Sequence, residues 1–272
     1  MSRVLETPMH HASDLLTWLD GSRDDGQGRL PRIDQPLTVT LDEAPRDIQL
    51  IQRPGRTLVW RRSQAELHPV VAGEASEAER ARPAAATFTL AGTVSDPAGR
   101  FNPRLFSVSA GAAAGHPLAL YPSPAGTLLG AAGGLQLALR YADADAPDAD
   151  KYAGTRLAAW ALVRVQITPL VGPVQHYTAQ ADARGECRIS LRRVPQLPKD
   201  APAPDYAALL TVQADPATLD TAAADPDTLL DRQIGDPAAA NSFTDQVAFR
   251  FRPGQQLSLT SFGKDHLVLA AT

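Results

Sequence analysis

The chain has 272 residues, 44% hydrophobic but only 6% aromatic, and 26 basic against 30 acidic side chains leave a formal charge of −4. That balance excludes a general attraction to nucleic acid or anionic membrane, and a single cysteine excludes an internal disulfide and a cysteine-based zinc site. One large or two ordinary domains are expected, with mainly aliphatic cores.

The opening MSRVLETPMHHASDLL lacks the basic end and apolar stretch of a secretory signal, and no segment is apolar for long enough to cross a bilayer. A cytoplasmic protein is expected, with assembly into a released particle left open. HASDLLTWLDGSRDDGQG predicts a short helix. Ser13 or Asp14 caps it, Leu15, Leu16, Trp18 and Leu19 form its apolar face, and Gly21 stops it. A helix this short does not persist alone in water, so the face must dock. It packs on its own chain or inserts into a partner subunit. In the second case Leu15, Leu16, Trp18 and Leu19 are the partner-binding residues, with Trp18 as the anchor.

Strand signals follow. PLTVTLDE alternates Leu37, Val39 and Leu41 with threonines, and RDIQLIQRPGRTLVWRR places two runs around a Pro54-Gly55 turn. Residues 63–86 lose the alternation and predict a surface loop. FTLAGTVSDPAGRFNPRLFSVSA gives two strands about a turn at Asp96-Pro97-Ala98-Gly99, and PLALYPSPAG and LQLALRY complete a first unit. ADADAPDADKYAG has no periodicity and predicts a linker. Beyond it, LAAWALVRVQITPL turns Ala159, Ala161, Val163, Val165 and Ile167 one way. QHYTAQADARGECRISL predicts a hairpin in which Tyr177, Ala179 and Ala181 answer Cys187, Ile189 and Leu191. YAALLTVQA, QVAFRFRPGQQLSLTSF and HLVLAA supply the last strands around a polar insertion over 215–242.

The expected fold is all-β, two tandem antiparallel β-sandwich domains with a short N-terminal helix. Its parts are 1–30 (helix and loop), 31–141 (first sandwich), 142–154 (acidic linker) and 155–272 (second sandwich).

Little of this points to chemistry. Asp182 and Gly185 suit a turn, and Cys187 shares the inward parity of Ile189 and Leu191, where a thiol is a small hydrophobe. Six histidines, at 10, 11, 68, 116, 176 and 266, lack metal-ligand spacing. The aspartates of 143–150 and 215–236 lack the glycine and terminal glutamate of a calcium loop and predict solvated stretches. No nucleophile elbow or phosphate loop is present, and Arg61-Arg62 and Arg192-Arg193 have no interleaved aromatics. No catalytic residue, metal or cofactor is expected.

Asp182-x-x-Gly185-x-Cys187-x-Ile189-x-Leu191, then Tyr206-x-x-Leu209-x-x-Val212 and the FRFRPGQQLSLTSF stretch, resemble the carboxypeptidase regulatory-like domain. A cysteine stands here where that family usually has an aromatic. The resemblance implies a transthyretin-like β-sandwich over 155–265 that acts as an accessory module, without catalytic residues. The whole chain is similar in architecture to accessory structural proteins of phage tails and phage-tail-like contractile injection particles. It implies a non-catalytic assembly protein whose partners are other protein subunits or further copies of itself, and not nucleic acid or membrane. Two alternatives remain open. One is a glycan- or peptide-binding module using Tyr152, Trp160 and Tyr206. The other is an enzyme at the domain junction using His176, Asp182 or Asp245.

Overall fold

A computed structural model of the chain describes residues 14–23, 28–46, 48–61, 87–143, 150–154, 156–197, 200, 203–218 and 223–271. His10, His11, His68, Asp145, Asp148, Asp220 and the expected 63–86 loop lie outside them. The architecture is all-β, and helical structure among the described residues is confined to 3-10 turns such as Gly130–Ala132. No described helix is long and apolar enough to cross a membrane.

The first body contains β1 (Asp14–Asp20), β2 (Thr38–Glu43), β3 (Ile48–Arg53), β4 (Arg56–Arg61), β5 (Phe88–Ser95), β6 (Arg104–Ala110) and β7 (Gly115–Leu120). They form a four-stranded sheet in the order β3-β4-β1-β7 and a three-stranded sheet β2-β5-β6. Inward residues of both sheets, among them Leu16, Trp18, Val59, Leu90, Val94, Phe106 and Leu118, close one core. Within the second of these sheets β2 comes very close to β5 beside its irregularity at Leu41–Glu43, where a Cβ added at Gly92 would meet the Thr40 carbonyl oxygen at 2.1 Å.

The expected N-terminal helix is strand β1. DLLTWLD satisfies both periods, since Leu15, Leu16, Trp18 and Leu19 make a helical face while Leu16 and Trp18 also alternate. Pairing decides the matter. β1 lies between β4, antiparallel, and β7, parallel, so its backbone is bonded on both edges. Asp14 does cap, but its carboxylate accepts from Gly111 N at 2.5 Å and Ala114 N at 2.9 Å, closing the β6–β7 loop instead of starting a helix.

The second body contains β8 (Gly134–Tyr141), β9 (Leu162–Thr168), β10 (Gln175–Gln180), β11 (Glu186–Ser190), β12 (Tyr206–Ala214), β13 (Leu230–Arg232), β14 (Ile234–Gly235), β15 (Phe243–Thr244), β16 (Val247–Phe251), β17 (Gln256–Leu257) and β18 (Leu267–Leu269). One sheet runs β10-β9-β12-β13, with β16 also on β12. The other runs β11-β8-β18-β14-β15, with β17 also on β8. A larger core from both sheets includes Leu135, Leu139, Val163, Val165, Ile167, Leu210, Phe251 and Leu267.

Three more expectations are corrected here. Residues 134–141 belong to the second body, because β8 pairs with β11 and β18, so the division falls near 121–133 and the described ends of the acidic stretch, 142–143 and 150–154, lie within the second body. The two arms of the 175–191 hairpin part after the turn, β10 joining one sheet and β11 the other. Neither body is purely antiparallel, since β1 runs parallel to β7, and β17 and β18 run parallel to β8.

Candidate functional site

The two bodies are tied by polar contacts. Arg104, on β6 and almost fully buried, donates to Ala119 O at 2.7 Å and to Asp225 Oδ1 at 2.9 Å, and also pairs with Asp227. Leu105 N donates to Ala224 O at 3.1 Å. Asn102 Nδ2 donates to Gln180 O at 3.0 Å and Ala181 O at 3.1 Å. Ala159, Trp160, Leu162, Ala224 and Leu229 pack as a small apolar cluster against Tyr121 at this seam. Asp225 and Asp227 are thus counter-ions to a buried arginine, Asp225 half-buried at the seam and Asp227 still largely in solvent.

Beside the seam lies a cleft of about 640 Å³, within the ordinary range for ligand clefts. One wall is the first body, at Asp20, Ser22 and Arg23, at Pro31–Gln35, and around Arg100 and Pro122–Leu128. The other is residues 173–179 and 188–193 of the second body. Local chemistry fixes the first wall. The buried Asp96 carboxylate accepts from Ala98 N, Arg100 N and Phe101 N and from Gln35 Nε2, which holds the 96–101 turn against the 33–35 segment. On the second wall Tyr177 donates its hydroxyl proton to Arg192 O at 2.8 Å, and burial pushes the phenol up to about 12.

The cleft is cationic in an acidic protein. Its described lining holds six arginines against two aspartates. Arg23 pairs with Asp20 at 3.1 Å, Arg32 with Asp34 at 3.9 Å and Arg100 with Asp96 at 3.7 Å. Arg188 and Arg192 instead donate to the carbonyl oxygens of Pro124 and Leu128, which orients the guanidinium groups without cancelling their charge.

Most of the residues singled out from sequence fall elsewhere. Leu16 and Trp18 are buried in their own core, and Trp18 Nε1 donates to Thr57 Oγ1 at 3.0 Å while its ring meets Phe106 edge-on at 5.7 Å. Leu15 and Leu19 are half-buried on the other face of β1. Trp18 therefore anchors the fold, and the four do not form an exposed patch. Tyr152, Trp160 and Tyr206 are buried too, so they make no aromatic platform. Of the junction trio, His176 lines the cleft while Asp182 and Asp245 do not. Asp182 accepts from Arg184 N and Glu186 N in its own turn, and Asp245 accepts from Gln233 Nε2. Cys187 is fully buried and its thiol is pushed up by that burial, which disfavours the thiolate. Among the described residues no three metal-ligating side chains gather.

Arg192-Arg193 stood out in sequence only as a short basic pair, and the cluster went unseen because its arginines come from separate segments. One local sign was available: Arg188 sits between the inward Cys187 and Ile189 and so must point out.

Fold and cleft together define a protein of two joined β-sandwich bodies with a cationic crevice between them. Beyond that class, the chain matches no family model, no curated protein and no solved structure.

Proposed function

We propose that the protein is a non-catalytic structural subunit acting through protein–protein contacts, an accessory component of a phage-tail-like contractile injection particle, with a carboxypeptidase regulatory-like module in its second half. The observation that carries this reading is how the polar side chains are used. Arg104, Asp225, Asn102 and Asp96 join strands, turns and bodies to one another, and His176, Asp182 and Asp245 are not brought together. A chain whose buried polar groups serve rigidity suits a building part better than a catalyst.

The test is to tag the chain at its native level in its host and fractionate the lysate by size. Co-migration with a multi-subunit particle, confirmed by electron microscopy, is expected. Recovery at the mass of the free chain alone would overturn the proposal.

A further inference from the structure

The geometry points to the cleft as a docking groove for an extended acidic polypeptide segment of a partner, which adds as a strand between the parted edges of β10 and β11. This rests on the assembly reading above and names the surface and the chemistry of the contact.

The main chain supplies the first observation. Ala181 N donates to Ala161 O at 2.8 Å, and the register pairs Tyr177 with Val165 and Ala179 with Val163. In an antiparallel ladder residues alternate between bonding their neighbour and turning away from it. The odd residues of β10 therefore face β9, and His176 and Thr178 direct N–H and C=O outward. On β11, Leu191 N donates to Gly133 O at 3.3 Å with Ile189 opposite Leu135, so Arg188 and Ser190 are the outward residues. At the closed end Asp182 N reaches Glu186 O at 2.8 Å. From there the strands separate into different sheets, and both outward edges border the cleft. Edges that carry no further strand among the described residues, as these do, accept an added strand.

Side chains at the same place fit one class of occupant. The excess of arginines favours carboxylates, which a guanidinium takes in a two-point contact. Exposed apolar groups stand at the rim, Leu128 at 71% and Val174 at 39%, with Val171 at 86% on the adjoining loop. The Ser190 hydroxyl oxygen is buried and has no hydrogen-bond partner among the described residues. A strand alternating acidic and aliphatic residues would satisfy the arginines with one face, the apolar rim with the other and the orphan hydroxyl with its backbone.

The test uses the isotope-labelled full chain and a blocked peptide of about eight residues alternating glutamate and valine. Two controls accompany it, one with lysine for glutamate and one methylated on alternate backbone nitrogens. Saturable binding of the acidic peptide is expected, with amide shifts at His176, Thr178, Arg188 and Ser190. Affinity should fall about tenfold or more in an Arg188→Glu, Arg192→Glu double variant. Thr178→Pro should weaken binding as well, because it deletes an outward N–H and leaves the bonds to β9 in place. That variant stands in should the double arginine change impair folding. Failure to saturate, equal binding of the lysine peptide, or undiminished binding of the methylated peptide would each overturn the proposal, the last reducing the cleft to a general polyanion site. Particle co-purification separates the two readings. A chain that enters the particle but ignores the peptide rejects the groove alone, and one found only as the free chain rejects the assembly reading.

Discussion

Several single side chains have work that their residue type does not announce. Tyr177 and Tyr141 are raised by burial from the ordinary phenol value of 10.0 to about 12. In an unfolded chain both would ionise near 10. Below that pH the folded and unfolded states bind the same phenolic protons. Between 10 and 12 only the unfolded state loses them, so stability is present up to about 10 and declines as pH rises further. Alkaline titration of phenolate absorbance should therefore show these two rings ionising late and together with loss of the folded fluorescence. Early ionisation in a still-folded chain would contradict their burial. Tyr152 illustrates another role. Its hydroxyl contacts the carbonyl oxygens of Ala239 and Ser242, and its ring meets Phe243 edge-on at 5.4 Å, pinning the 236–243 loop.

At the level of the element, alternation was a good guide wherever a strand is buried on one face. Phe88–Ser95, Leu162–Thr168 and Tyr206–Ala214 stand where the pattern placed them. It failed for β1 because seven residues with four apolar side chains satisfy two periods, and tertiary pairing on both edges chose between them. A measurable consequence follows from its central place. Trp18→Ala should destabilise the chain by about 3–5 kcal/mol in denaturant unfolding, the cost of emptying a large core site. A change near zero would put Trp18 back on the surface as a partner anchor. The hairpin at 182–185 was legible because its turn is local. Asp182 bonds the following amides, and at Gly185 φ is +72°, with an added Cβ only 2.4 Å from Leu139 O. What happens beyond the turn, where β10 and β11 part, depends on β9 and β8 and left no mark in the hairpin's own residues.

For the whole molecule, the seam and the cleft were the least legible features. The seam joins Arg104 to Asp225 and Asp227 across the two bodies, and no local pattern links those positions. The aspartates looked like members of a polar, hydrated insertion. Only the fold shows that two of them meet a buried cation. Arg104 is the buried partner and the aspartates left without it reach water, so its removal costs the charge-assisted hydrogen bonds rather than a stranded ion, about 1.5–3 kcal/mol. Arg104→Leu should lose that much and, in scanning calorimetry, split the unfolding of the two bodies into separate transitions. Asp227→Asn should do far less, since Asp227 is largely exposed and Asp225 remains. A neutral Arg104→Leu would mean that the bodies are not held by this contact. The cleft was hidden for the same reason, its cations being contributed by stretches as distant as Arg23 and Arg193.

The parallel pairs have a consequence for how such a chain comes into being. β1 is an inner strand of its sheet, yet one of its two neighbours is β7, the last strand of that body, and β8 likewise waits for β17 and β18. During synthesis each of these early strands emerges from the ribosome with an apolar face and one open side, long before the segment that will cover it exists. Maturation is therefore paced by the arrival of late segments, and the interval before they arrive is when the nascent chain is most exposed to sticking to its neighbours.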